Sequence, residues 1–141
     1  MTYHFAVHKA KSGFWAECIE LKGCHTQAES KAELEKACEE ALNLYLDEPS
    51  DSLIAFSLPD EELDRKVGVI AAKVEPELAL AILLKHYRRD RKLTQKQVSE
   101  MLGMKNIYSY QRLEKKSNPT LKIMKNIHIV FPDMKIEQIF N

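Results

Sequence analysis

Residues 106–114, Asn-Ile-Tyr-Ser-Tyr-Gln-Arg-Leu-Glu, hold two tyrosines, an Asn, a Ser, a Gln and an Arg with only two aliphatics. A helix that merely covers a core shows a broader apolar stripe and more Glu or Lys outside it. Amide and guanidinium groups can make paired hydrogen bonds to base edges, while hydroxyls and cations reach phosphates, so this stretch has the chemistry of a nucleic-acid reader. Other chemistry is thinner. Cys18, Cys24 and Cys38 form no CxxC pair, their odd number argues against a closed disulfide framework, and no second pair follows Cys24-His25 at ligand spacing. No metal or cofactor is expected. His4 and His8 would share a strand face with Ala6, too far apart along an extended strand to chelate one ion, and read as core or surface histidines. Most acids of the first half lie on the polar side of a helix or in the 47–64 connector. Only Glu17 falls on an expected strand, which disfavours the convergent carboxylates that a two-metal nuclease needs.

The reader stretch needs a scaffold, and the flanking sequence supplies one. Pro76 suits a first helical turn, Leu78, Ile82, His86 and Arg89 mark one face of the helix that follows, and its end is rich in Lys85, Arg88, Arg89, Arg91 and Lys92. Thr94-Gln95-Lys96-Gln97 is a capping box that opens a short helix, with Val98, Met101 and Leu102 buried and Gly103 closing it. A Gly turn and a third helix then make a helix-turn-helix. In that third helix Tyr110 and Leu113 face inward with Val98 and Leu102, leaving Asn106, Tyr108, Ser109, Gln111 and Arg112 outward. Asn118 is the expected cap of a fourth helix with Leu121, Met124, Ile127, His128 and Phe131 as its stripe, and Ile136, Ile139 and Phe140 form an apolar tail.

The first half reads differently. Residues 3–8 alternate, residues 14–19 are aromatic and apolar, and Lys11-Ser12-Gly13 between them predicts a hairpin. Ser30-Lys31-Ala32-Glu33 is a capping box for a helix to about Leu46, with Leu34, Ala37, Cys38, Ala41, Leu42, Tyr45 and Leu46 as its stripe, stopped by Asp47-Glu48-Pro49-Ser50-Asp51. Val67 to Ala72 reads as a last, well-buried strand. Charge divides at the same place. Residues 1–75 carry eight Lys/Arg against fifteen Asp/Glu, and residues 76–141 carry thirteen against six, so a neutral chain hides halves of about −7 and +7. Such asymmetry suggests a basic half for nucleic acid and an acidic half for another partner. The start shows no secretory leader, the longest apolar runs are too short to span a bilayer, and a cytoplasmic location is expected.

Two resemblances follow from these motifs. Gly13-Phe14-Trp15-Ala16-Glu17, Leu21-Lys22-Gly23-Cys24-His25-Thr26-Gln27 and the helix ending in Leu44-Tyr45-Leu46 resemble the amino-terminal domain of HicB antitoxins over about residues 1–75. The resemblance implies a degenerate ribonuclease-H-like ββ(β)αβ fold, without the nuclease's acidic cluster, that binds and masks a HicA-like ribonuclease toxin. Leu93 to Gly103, with Arg112-Leu113-Glu114 and Asn118-Pro119-Thr120-Leu121, resembles the Cro/repressor-type (XRE) helix-turn-helix. This second resemblance spans about residues 78–140. It implies an all-α domain over 76–141 in which Gln95 touches the DNA backbone and the outward residues of the third helix enter the major groove. Thr94, Lys96, Lys105 and Lys115 complete the candidate DNA-binding set. Two departures stand out: the stretch from Gly103 to Glu114 is one residue longer than the usual pattern, and Ser99 replaces the customary Ala. Together the two resemblances imply an α+β, non-catalytic antitoxin that represses its own operon by binding double-stranded operator DNA, with no membrane association. Small helical domains bury little surface alone, so a homodimer or higher homo-oligomer is expected. The alternatives are a stand-alone transcriptional regulator with a ligand-sensing or oligomerising first domain, and a nuclease using Glu17 or the 60–64 acids.

Overall fold

The computed structural model describes residues 1–47 and 55–141. In chain order the elements are β1 (Thr2–Lys9), β2 (Phe14–Cys18), β3 (His25–Ala28), α1 (Lys31–Leu46), a 3-10 turn (Glu61–Arg65), β4 (Val69–Lys73), α2 (Pro76–Asp90), α3 (Gln95–Met101), α4 (Ile107–Leu113), α5 (Leu121–Val130) and a 3-10 turn (Ile136–Ile139). Among the described residues the fold is mixed α+β, a four-stranded antiparallel sheet with five α-helices.

The sheet runs β3-β2-β1-β4. The β1–β2 hairpin turns at Gly13, where φ is +73° and a Cβ would lie 2.3 Å from the Ala28 carbonyl oxygen, so only glycine fits. Side chains alternate across the pairing, and Tyr3, Phe5, Ala16 and Cys18 fall on one face. Against that face α1 packs Leu34, Cys38, Leu42 and Leu46, all buried. Ser30 caps α1 by accepting the Glu33 N–H. The optional third strand of the expected ββ(β)αβ order is present as β3, which pairs with β2 from Phe14↔Ala28 to Glu17↔His25. Two other expectations change. The last strand starts at Val69 instead of Val67, because Gly68 turns the chain at φ +82°. It is also an edge strand in which only Ala72 is buried, since β1 flanks it on one side alone. The Glu48-Pro49-Ser50-Asp51 helix stop lies outside the described residues.

The second half is built on α2. Pro76 occupies its first turn, and every residue from Leu78 to Leu84 is buried. The expected single stripe of Leu78, Ile82, His86 and Arg89 is therefore corrected: His86 is half-buried and Arg89 exposed, while the amino-terminal two turns are enclosed all round. The cause is position, because α2 packs against both α4 and the carboxy-terminal 3-10 turn, and its buried residues join those of the sheet half in one cluster. The Asn43 side chain pins this junction to α1, donating to the Lys73 carbonyl at 3.0 Å and accepting the Glu75 N–H at 2.7 Å. In α5 the cap is Thr120, which accepts the Ile123 N–H, in place of Asn118. The stripe turns accordingly: Ile127 and Phe131 are buried, whereas Leu121 and His128 face solvent. Of the apolar tail Ile139 is buried and Phe140 exposed.

Candidate nucleic-acid interface

Two helix ends shape the interface. At the end of α2 the Leu93 N–H bonds the Arg88 carbonyl and the Lys92 N–H bonds the Arg89 carbonyl. At the end of α3 the Met104 N–H bonds the Ser99 carbonyl and the Gly103 N–H bonds the Glu100 carbonyl. Both are Schellman closures, which need a left-handed residue just past the helix. Gly103 supplies one at φ +70°, and Lys92 supplies the other at φ +55°. Between them α3 is opened by the capping box read from the sequence, with Thr94 Oγ1 accepting the Gln97 N–H at 3.1 Å and Gln97 Oε1 accepting the Thr94 N–H at 2.8 Å. Ser99, the unusual residue here, is buried and donates its hydroxyl to the Lys96 carbonyl at 2.8 Å, so it fits an alanine-sized site without an orphaned group.

Beneath this surface lies a buried polar network. Glu114 accepts from Tyr110 Oη at 2.7 Å, from Gln95 Nε2 at 2.7 Å and from Arg88 through a two-pronged contact whose second arm, Nη2, measures 3.2 Å. Gln111 Nε2 in turn donates to Gln95 Oε1 at 3.1 Å. Burial pushes the Glu114 carboxyl up, but Arg88, Gln95 and Tyr110 outweigh it and hold the group below the usual carboxylate range. Four side chains from α2, α3 and α4, together with Glu114 at the end of α4, thus share one charged knot that sets how the helices sit together.

The candidate residues divide into three groups on this frame. Thr94, Asn106 and Ser109 serve caps: Asn106 Oδ1 accepts both the Ser109 N–H and its hydroxyl. Gln95 and Gln111 are half-buried members of the network, so Gln111 does not point freely outward as expected. Lys96, Lys105, Tyr108 and Arg112 are exposed and, among the described residues, their side chains make no hydrogen bond or ion pair within the chain; Lys115 is half-buried. Tyr110 and Leu113 are buried with Val98 and Leu102, as the helical spacing predicts. Met101 is the exception, 52% exposed because it is the last residue of α3 and lies past the packed turn. Sequence reasoning missed Lys122. It lines a 340 Å³ depression with Lys105, Asn106 and Ser109, and so adds a cation from α5 to this surface.

The other sequence candidates sit in the sheet half. His4 is 1% exposed, with Nδ1 at 2.6 Å from Glu20 Oε1 and Nε2 at 2.7 Å from Asp64 Oδ1. Burial works against its charge, yet hydrogen bonds to Glu20 and Asp64 prevail and raise its pKa above the ordinary value. His8 instead lies on the surface beside Glu17. All three cysteines are free and buried, and burial pushes Cys18 and Cys38 up to about 12 and Cys24 up to about 11. Among the described residues no group of three or more His, Cys, Asp or Glu is placed to hold a metal ion, and no helix is long and apolar enough to cross a membrane. The chain matches no protein-family model and no curated protein.

Proposed function

We propose that the chain is a HicB-type antitoxin and autorepressor. Residues 1–75 form a degenerate ribonuclease-H-like domain that masks a HicA-like, mRNA-cleaving ribonuclease, and residues 76–141 form a Cro/repressor-type helix-turn-helix that binds the operator of the shared operon. The observation that carries this reading is the pairing of rigidity with free polar chemistry. Arg88, Gln95, Tyr110 and Glu114 lock α2, α3 and α4 together, while the side chains of Lys96 on α3, Tyr108 and Arg112 on α4, and Lys105 in the turn between them project with no partner among the described residues. Helices held in this way keep a recognition element at a fixed angle to the groove it enters, with phosphate contacts setting register and base contacts setting sequence. The strand order βββαβ and the acidic charge of the first half support the toxin-masking part, because complementary fields speed association with a basic RNA-binding protein. A homodimer suits an operator whose half-sites lie about 34–36 Å apart.

The test uses the full chain, DNA from upstream of its own gene, and the small protein encoded beside it. Fluorescence anisotropy should show specific binding, and the neighbour's ribonuclease activity should fall as the chain is added. Arg112→Ala is expected to weaken operator binding by about 1–3 kcal/mol and relax sequence preference. An equal loss on random DNA assigns Arg112 to phosphate; no operator binding and no inhibition together refute the proposal.

A further inference from the structure

Among the described residues no element covers most of one face of the sheet, where Trp15, Glu17, His25 and Gln27 are exposed. Residues that alternate away from α1 are Ala6 and His8 on β1, Trp15 and Glu17 on β2, and His25 and Gln27 on β3, aligned as His8↔Trp15↔Gln27 and Ala6↔Glu17↔His25. An antiparallel sheet with one wet face normally carries polar residues there. This one shows an imidazole and an indole stacked at 4.1 Å with 22° between their planes, and Ile19 just beyond β2 is also exposed. His8 Nε2 lies 3.0 Å from Glu17 Oε1, so the stack and the carboxylate form one unit. At the end of this face Glu20 and Asp64 close over His4.

The charge around the stack decides what it can take. Glu17, Glu20 and Asp64 lie along this face, and Lys73 at the far end of β4 is the cation that the pairing places on it among the described residues. A phosphate backbone would meet carboxylates at the aromatic platform. A cation would instead find both an indole face and an exposed carboxylate beside it, the pairing that favours a guanidinium.

We infer that this open sheet face, centred on Trp15, His8 and Glu17, is the docking surface for a basic protein partner, which places an arginine over Trp15 and against Glu17 with apolar contacts to Ile19. The inference rests on the antitoxin reading and names the surface that reading leaves open. Hot spots of this kind combine an aromatic anchor with a charge and carry most of the binding energy of an interface.

The experiment is calorimetric titration of the full chain with the small protein encoded beside its gene. Trp15→Ala and Glu17→Lys change exposed side chains, and far-UV circular dichroism with operator affinity verifies that both variants fold. Leu44→Asp, on the exposed side of α1, serves as the comparison. Trp15→Ala and Glu17→Lys should each weaken binding by about tenfold or more, and Leu44→Asp by less than about twofold. If the unmodified chain binds and the first two variants bind equally well, the partner docks elsewhere and the inference falls while the antitoxin reading stands. If the unmodified chain does not bind, both fall. If Trp15→Ala instead abolishes binding to single-stranded RNA and leaves the protein partner unaffected, the face is a nucleic-acid platform and the inference is overturned.

Discussion

A histidine between two carboxylates is better satisfied in one protonation state than in the other. Both ring nitrogens of His4 face oxygens, Glu20 on one side and Asp64 on the other, so the imidazolium can donate twice while a neutral ring must leave one nitrogen lone pair facing a carboxylate. Because the folded pKa is raised, the stabilisation is complete below the unfolded value of about 6.5 and is lost as pH rises through the folded value. Urea midpoints measured from pH 6 upward should therefore fall with pH, and the fall should shrink in His4→Gln; parallel pH profiles for the two proteins would remove His4 as the cause. Glu114 carries a larger penalty of the opposite kind. It sits 2% exposed at the centre of the knot, and Glu114→Ala leaves the half-buried Arg88 guanidinium without its carboxylate, with the Leu93 carbonyl as its remaining acceptor. Breaking a buried pair in this way costs about 3–5 kcal/mol, and a measured loss below about 1 kcal/mol would show that water reaches Arg88 readily.

At the scale of elements, the local signals in the chain were readable and the distant ones were not. The α3 capping box and the Ser30 cap lie within three residues of their partners, so a short window contains both halves of each bond. The knot does not announce itself, because Arg88 and Glu114 are 26 residues apart and either could be a solvated surface charge. β3 has no apolar alternation because it is an edge strand whose place is set by pairing with β2, and the enclosure of α2 depends on the 3-10 turn near the end of the chain. The candidate interface was legible in its exposed cations and in Tyr108, whereas Gln111 was misplaced because its bond crosses to α3. The two Schellman closures offer a direct comparison. Lys92 adopts a left-handed conformation that costs an L-residue about 1–2 kcal/mol, and its side chain is exposed. Lys92→Gly should stabilise the protein by about 0.5–1 kcal/mol after the added freedom of the unfolded chain is counted, while Gly103→Ala destabilises it by about as much. Thermal melts of the two variants check both signs, and a destabilised Lys92→Gly would mean that the lysine stem packs on its surroundings.

At the scale of the whole molecule, opposite charges and a shared core pull in different directions. The −7 and +7 halves suggest separate modules, yet the buried residues from Met1 to Ile139 form one cluster, with Val74 and the Leu78–Leu84 run of α2 at its middle. Trp15, the single tryptophan, reports the sheet half, and helical dichroism is dominated by α2 to α5. The two signals should lose amplitude at the same urea concentration, as a single cooperative unit requires. Separate midpoints would show that residues 1–75 and 76–141 unfold on their own. The antiparallel pairing of β1 with β4 has a further consequence, felt before the protein is finished. Thr2 pairs with Lys73, so a strand that leaves the ribosome first must wait for one that leaves much later. Between Ala28 and Lys73 lie about 45 residues, roughly 2–9 s of synthesis, during which the β1 edge stands open on the nascent chain. An open edge is a template for pairing with other chains, so slower translation between residues 28 and 73 should lengthen the time in which copies on one polysome can pair through β1.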